Sequence, residues 1–131
     1  EIGEQRSIVF ALKQLGVIAR QTGQMKQAQV YLDEALVISR DLGTAVLMAD
    51  VLTAVARLYA AQNQPNRALE LLAAIQVSAS QDQEIMNQVD KLWPEIASQL
   101  TPDTAVACRR RGEAMGLETA VATVLNDFRA G

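Results

Sequence analysis

Apolar residues recur at intervals of three and four over the first eighty positions, and this spacing is typical of amphipathic α-helices. When the sequence is shifted by forty residues, apolar positions fall on apolar positions and small ones on small ones. Among the matched pairs are Leu12 with Leu52, Leu15 with Val55, Gly16 with Ala56, Ala28 with Ala68 and Leu32 with Leu72. The pattern therefore predicts two helical hairpins, near residues 9–40 and 46–77.

Turn-forming residues mark the ends of these predicted helices. Gly23 and Asn63 occupy the same place in the two copies, and both residue types tolerate the positive φ that commonly follows a helix. Pro65 stands where the next helix would have its first residue. We expect Gly43 to end the second helix and Thr44 to cap the third.

Beyond Ser80 the forty-residue register is lost, but helical spacing continues. Ser80 and Gln83 are spaced as a capping box. They would begin one long helix, whose apolar face is Ile85, Val89, Leu92, Ile96 and Leu100. We expect Pro94 to kink or split this helix, because proline removes a backbone hydrogen bond, and Trp93 to cover the exposed turn.

Two more helices are predicted in the last thirty residues. Thr101-Pro102-Asp103 combines a cap, a first-position proline and an acid at the positive helix end. Gly112 is expected to stop this helix. A last amphipathic helix follows, with Leu117, Ala120, Val121, Val124, Leu125 and Phe128 on its apolar face. We expect these C-terminal helices to pack on the second hairpin.

The hairpin pattern resembles the tetratricopeptide repeat. The positions that carry the resemblance are Leu15-Gly16, Ala19, Ala28, Leu32 and Ala35 in the first copy, and Val55-Ala56, Tyr59, Ala68, Leu72 and Ile75 in the second. The family's early Trp and closing Pro are absent from both copies. The period exceeds the usual repeat of about 34 residues, and is similar to the long-helix variant found in large bacterial regulators.

A second resemblance lies in the run from Ala107 to Val121. It resembles the tail that closes the helical-repeat region of large bacterial signalling ATPases and of LuxR-type or antibiotic-regulatory activators. This chain departs from that tail at several places, with Arg109 where the tail has Trp and Glu113 where it has Arg.

These resemblances imply an all-α fold, in which tetratricopeptide-like hairpins form a short right-handed solenoid with a C-terminal helical cap. Residues 1–79 would form the two hairpins and residues 80–131 the non-repeat cap. The register lays Glu1-Ile2-Gly3 on Asp41-Leu42-Gly43, so we expect residues 1–3 to end the second helix of an upstream repeat.

The implied function is a protein- or peptide-binding module that acts as the sensory or autoregulatory arm of a cytoplasmic bacterial regulator. Its partner would be a protein, a peptide or another domain of the parent protein. The alternative is a purely structural role, as the terminal cap or homodimerisation module of a longer solenoid.

Composition narrows the chemistry further. The 131 residues include no His and a single Cys, Cys108. Nucleophile systems that need His are thereby excluded, and so is an intrachain disulfide. The glycines form no phosphate-binding loop, and the longest apolar runs, of which residues 45–49 are one, are far too short to cross a bilayer. We therefore expect no catalytic residue, no metal, no cofactor and no membrane partner.

Arg109-Arg110-Arg111 is the one basic cluster, and it has two interpretations. It is either a phosphate or nucleic-acid contact, or a group of cations solvated in the last turn of a helix, where they favour its negative end. The net charge of −3 favours the second interpretation, because an acidic protein attracts phosphates weakly. Cys108 is expected to be a small apolar helix residue.

The candidate binding surface is the concave face that the first helices of such repeats line. By register it carries Phe10, Lys13, Val17, Arg20 and Gln21 from the first unit and Asp50, Thr53 and Arg57 from the second. The family's carboxylate clamp is absent, because Asn is needed where Val17 and Arg57 stand. Basic side chains beside apolar ones suit a partner segment with acidic and aliphatic residues. The alternative is an ordinary solvated face.

Overall fold

The computed structural model describes residues 2–130, and within that range it contains seven α-helices and no strand. The helices are α1 (Ile2–Gln21), α2 (Met25–Leu42), α3 (Ala45–Ala61), α4 (Pro65–Ser78), α5 (Gln83–Ala97), α6 (Pro102–Ala114) and α7 (Leu117–Ala130). The predicted all-α helical-repeat fold is confirmed. The two predicted hairpins correspond to α1–α2 and α3–α4.

The two hairpin turns have the same backbone geometry, forty residues apart. Gly23 and Asn63 both have positive φ, +81° and +62°. The N–H groups of the next residues, Gln24 and Gln64, donate to carbonyls five residues back at 2.8 Å in both copies. Gly43 ends α2 with φ +67°, as predicted. The two hairpins therefore share their turn hydrogen bonds as well as their pattern of residue types.

Close packing of the hairpins depends on small residues. A Cβ added at Gly16 would lie 2.8 Å from the Leu32 side chain, so the glycine lets α1 and α2 approach.

In the second hairpin α4 contacts α3, α5, α6 and α7. It is consequently buried on nearly every side, through Ala68, Leu69, Leu71, Leu72, Ala73, Ala74 and Ile75.

The three C-terminal helices occupy different places around this pair of hairpins. Helix α5 packs against α3 and α4, just as α3 packs against α1 and α2. In its contacts α5 therefore continues the series of first helices. Helix α6 packs against α4, whereas α7 contacts α2, α3 and α4. The domain boundary at residue 79 stays a prediction.

Gly112 does not end α6, contrary to the prediction. It is a buried residue inside α6, and a Cβ there would overlap the Glu70 carbonyl oxygen and lie 2.5 Å from the Ala73 Cβ. The glycine lets the backbones of α6 and α4 approach closely and does not form a turn. The helix ends two residues later, at Ala114.

Helix α5 begins and continues differently from the prediction. Its N-cap is Asp82, whose carboxylate accepts a hydrogen bond from the Ile85 N–H at 3.0 Å. The predicted capping box at Ser80 and Gln83 is therefore wrong. The predicted split at Pro94 is wrong as well, since α5 runs through it to Ala97. Proline this near a helix end removes only one of the last backbone bonds.

At the N-terminal edge of the described chain, residues 2 and 3 belong to α1 and not to the end of a separate helix. The upstream repeat itself stays a prediction. Gly3 does not have the positive φ that ends α2 at Gly43. Glu1 lies outside the described residues.

Candidate functional site

The first helices α1, α3 and α5 together line a groove, which we call the α1–α3–α5 groove. One end is a cavity of about 270 Å³ lined by Phe10, Lys13, Val46, Leu47, Asp50, Asp82, Glu84, Ile85 and Gln88. The other end is a cavity of about 310 Å³ lined by Arg20, Arg57, Ala60, Ala61, Leu92, Glu95, Ile96 and Gln99. The structure thus brings five of the predicted residues to the groove: Phe10, Lys13, Arg20, Asp50 and Arg57.

The α5 wall of the groove was not among the predicted site residues, because α5 was assigned to the cap. A signal for it was nevertheless present in the sequence. Leu92 and Ile96 lie forty residues after Leu52 and Ala56, so the first half of a third repeat unit follows the same register. This wall adds the side chains of Glu95 and Gln99 to the site.

The end of the groove near Lys13 carries more acidic than basic side chains. The Lys13 ammonium lies 2.8 Å from an Asp50 carboxylate oxygen and 5.3 Å from the centre of the Phe10 ring. Asp82 and Glu84 line the same cavity. Lys13 therefore does not supply the free positive charge that the sequence analysis expected of it.

The other end carries two guanidinium groups that have no carboxylate partner among the described residues. The Arg20 Nε is shielded from solvent and makes no hydrogen bond within the described part of the chain. Burial lowers the pKa of Arg20, and the neighbouring charge of Arg57 lowers it further. The positive charges of Arg20 and Arg57 therefore repel each other, and the Arg20 Nε–H lacks an acceptor. A bound anion would offset the repulsion and accept the missing hydrogen bond.

The remaining predicted residues contribute less to the groove. Thr53 is only 2% exposed, and its hydroxyl donates to the Ala49 carbonyl at 2.8 Å. A ligand therefore cannot reach it. Val17 is half-buried against the core, whereas Gln21 is exposed at the end of α1.

The basic cluster on α6 fastens that helix to its neighbours. The Arg109 guanidinium lies 4.1 Å from the centre of the Trp93 ring, and its Nη1 donates to Gln76 at 3.3 Å. The Arg111 Nε lies 3.3 Å from a Glu70 carboxylate oxygen. Arg110 is exposed and Arg111 lies in the last turn of α6, as the second interpretation expected, but the contacts of Arg109 and Arg111 with other helices were not predicted. Trp93 stacks with Arg109 and is half-buried against the core.

Cys108 is completely buried between these basic residues, in agreement with its expected role as an apolar helix residue. The Arg111 guanidinium donates to its sulfur at 3.4 Å. Burial raises the pKa of the thiol, and the charge of Arg111 opposes that effect only in part. The side chain is therefore a protonated packing element.

Polar contacts hold α7 against the hairpins. The Asp127 carboxylate accepts a hydrogen bond from the Tyr59 hydroxyl at 2.9 Å and forms an ion pair with Arg67. Burial raises the pKa of Asp127, but the hydrogen bonds from Arg67 and Tyr59 outweigh it and hold that pKa below its usual value. Burial and the bond to Asp127 raise the pKa of Tyr59. The Phe128 ring packs edge-on against Tyr59.

Comparison with known proteins gives one match. The family model described as tetratricopeptide repeat matches residues 7–74, just over half of the chain. No curated protein and no solved structure matches the chain significantly. Of the helices in residues 2–130, none combines the length and apolar character required to span a membrane.

Proposed function

Since the chain belongs to the tetratricopeptide-repeat family, we propose that it is a non-enzymatic protein- or peptide-binding module, the sensory or autoregulatory arm of a cytoplasmic bacterial regulator. Repeats of this family generally mediate protein–protein interaction and are typically non-catalytic. Stacked hairpins suit this role because they form an extended concave surface. The regulatory context is supported by the resemblance of residues 107–121 to the closing tail of bacterial regulators.

The proposed binding surface is the α1–α3–α5 groove, and the observation that carries it is the Arg20–Arg57 pair. Four other basic residues, Lys13, Arg67, Arg111 and Arg129, each lie close to a carboxylate on another helix. Arg20 and Arg57 line one cavity instead, and the Arg20 Nε is shielded from solvent without a hydrogen-bond partner among the described residues. A carboxylate from a partner would accept bonds from both guanidinium groups and replace repulsion by attraction.

The walls of this end of the groove define the partner further. Ala60, Ala61, Leu92 and Ile96 lie beside the two arginines, so aliphatic groups of a ligand would have apolar contacts there. Glu95 also lines the cavity and would repel a doubly charged phosphate more than a singly charged carboxylate. The arrangement therefore fits a peptide segment in which Asp or Glu alternates with aliphatic residues.

A direct test uses a fluorescein-labelled peptide of alternating Glu and Leu and a matched peptide with Gln in place of Glu. Fluorescence anisotropy would compare the wild-type protein with an Arg20→Glu/Arg57→Glu variant. We expect the acidic peptide to bind the variant about 5- to 30-fold more weakly, from roughly 0.5–1 kcal/mol for each exposed charge contact. Raising the salt concentration should weaken wild-type binding and have less effect on the variant.

The matched control is Arg40→Glu/Arg110→Glu, which changes the net charge equally at exposed positions on α2 and α6. Circular dichroism would first establish that all three proteins are equally folded. If both double variants bind the acidic peptide alike, or if the Gln peptide binds as tightly as the Glu peptide, the groove is not the acidic-segment site.

A further inference from the structure

The three helices that line the α1–α3–α5 groove run in the same direction along it. At one end all three contribute earlier residues, such as Lys13, Asp50 and Glu84, and at the other end they contribute later ones, such as Arg20 and Arg57. Side chains from different helices are therefore gathered into two separate clusters, one at each end of the groove.

The two clusters differ in net charge. At the first end Lys13 and Asp50 neutralise each other at 2.8 Å, which leaves Asp82 and Glu84 as excess negative charge. Neither of these two carboxylates forms an ion pair within residues 2–130. At the other end two guanidinium groups outnumber a single carboxylate. We call these the acidic end and the basic end of the groove.

The acidic end also exposes apolar side chains to solvent. Phe10 and Val46 are 58% and 47% exposed, and both line the cavity at this end. Exposed apolar groups that are rimmed by polar ones mark interaction sites. This end thus offers a docking surface of its own, but an acidic segment would not use it, because the carboxylates there would repel such a segment.

The separation of the two ends sets the spacing of charges in a partner. Seven residues separate Lys13 from Arg20 on α1 and Asp50 from Arg57 on α3, and seven residues of an α-helix rise about 10 Å. An extended chain covers this distance in about three to four residues. Residues four apart also face the same side of an extended chain.

We propose that the groove takes an extended partner segment with a basic residue four positions from an acidic one. The basic residue lies at the acidic end, with apolar neighbours against Phe10 and Val46, and the acidic residue lies beside Arg20 and Arg57. This inference rests on the proposed function, since it specifies the partner of the same groove. It adds that the order of the charges decides which way the segment lies. A segment that is acidic along its whole length binds less well, because part of it meets like charges.

The first test compares two capped peptides by isothermal titration calorimetry at low ionic strength. The dipolar peptide has Lys and Glu four residues apart, with Leu and Ser elsewhere, and its match has Gln in place of Lys. We expect the wild type to bind the dipolar peptide about two- to fivefold more tightly, as one exposed charge contact allows. Asp50→Asn/Glu84→Gln should abolish that preference. Glu34→Gln/Asp41→Asn removes the same charge at exposed positions on α2 and should keep it.

The second test needs only the wild-type protein, so its outcome does not depend on the folding of a variant. A nitroxide label is attached to the N-terminus of the dipolar peptide and of a peptide in which Lys and Glu are exchanged. We expect the label beside Lys to broaden the amide signals around Asp50 and Glu84 in NMR spectra of the protein. The label beside Glu should instead broaden the signals around Arg20 and Arg57, because the exchanged peptide turns round in the groove.

Three results would overturn the inference: equal affinity of the wild type for the dipolar and the Gln peptide, a preference that survives Asp50→Asn/Glu84→Gln, or broadening of the same end by both labelled peptides. The proposed function has a separate readout. If Arg20→Glu/Arg57→Glu weakens binding while Lys in the peptide has no effect, only this inference fails. If Arg20→Glu/Arg57→Glu binds both peptides as tightly as the wild type does, the proposed groove function fails with it.

Discussion

The hairpin region, residues 2–78, and the C-terminal region, residues 83–130, are both helical and both share the core, yet they are held together differently. In the two hairpins the same turn hydrogen bonds lie forty residues apart, and matched positions such as Ala28 and Ala68 or Leu32 and Leu72 are buried in both copies. In the C-terminal region α5 and α7 also bury apolar faces, but α6 and α7 add individual contacts with distant residues that do not recur. Gly112 on α6 meets Ala73, whereas Asp127 on α7 meets Tyr59 and Arg67.

This difference shows how the two regions distribute their stability. Repeated apolar packing spreads the free energy of folding over many similar contacts between neighbours in sequence. Single polar or steric contacts between distant residues concentrate it, as in the Tyr59–Asp127 hydrogen bond that spans 68 positions. We therefore expect conservative substitutions to have larger effects in the C-terminal region than at comparable polar contacts of the hairpins.

The largest effect is expected from Gly112→Ala. The added methyl group would overlap the Glu70 carbonyl oxygen and the Ala73 side chain, and the backbone of α4 cannot move aside cheaply. The free energy of unfolding should fall by about 3 kcal/mol, as in other overpacked sites. Urea denaturation measures this change. Gly116→Ala is the control, because a Cβ at Gly116 would meet nothing within 4 Å, and a comparable loss there would argue against the steric explanation.

Asp127→Asn should destabilise the docking of α7 by about 1 kcal/mol, since the carboxylate is partly exposed and the ion pair is screened. The pKa of Asp127 is held below its ordinary value of about 3.9. Its contribution is therefore present above about pH 4 and is lost as the pH falls through the lowered pKa. Thermal unfolding from pH 6 to pH 2.5 should show a smaller acid-induced loss for Asp127→Asn than for the wild type. Parallel pH profiles would contradict this prediction.

Asp82→Ala should reduce the free energy of unfolding by about 1 kcal/mol, the usual effect of losing an N-cap. The reason is the hydrogen bond that the Asp82 carboxylate accepts from the Ile85 N–H. Ser80→Ala is the informative comparison, since Ser80 does not cap α5 in the structure. Chemical denaturation of both variants would measure the difference, and a larger loss for Ser80→Ala would restore the capping box predicted from the sequence.

The smallest effect is expected in the hairpin region, from Lys13→Met. The ion pair with Asp50 lies on the wall of the groove with both side chains partly solvated, and the methionine retains the apolar stem of lysine. The free energy of unfolding should change by no more than about 0.5 kcal/mol. A loss as large as that of Asp127→Asn would remove the contrast between the two regions.

The sequence was most informative where structure is local and periodic. The hairpin turns at Gly23 and Asn63, the start of α4 at Pro65 and the end of α2 at Gly43 were all predicted correctly. Each depends on the backbone preferences of a few adjacent residues. The same logic identified Thr101, whose hydroxyl accepts a hydrogen bond from the Thr104 N–H in the first turn of α6.

The errors came where one residue type serves two physical purposes. A glycine both ends helices and permits close approach, and only the position of α4 decides between these roles at Gly112. Leu15 fits the helical spacing of a core residue, yet it is exposed because no described helix covers that face of α1. The contacts of Tyr59 with α7 left no periodic signal, because they join distant parts of the chain.

For the candidate site, five of the residues that the register selected line the groove, but the register did not reveal their pairing. Lys13 and Arg20 are both basic residues of α1, yet only Lys13 has a carboxylate opposite it. Which charge is neutralised depends on the relative depth of side chains on neighbouring helices. How deeply each side chain is buried follows from the packing of the helices and cannot be read from sequence spacing alone.

The burial of Cys108 makes the reaction of its thiol with a reagent a measure of how often α6 detaches. Its thiol is inaccessible and held protonated while α6 lies against α4, so a disulfide reagent such as dithionitrobenzoate can react only during excursions in which α6 detaches. Since the chain has one cysteine, the absorbance change reports a single event without introduced labels. The labelling rate under native conditions therefore measures how often α6 separates from α4. A ligand that keeps α6 in place should lower this rate.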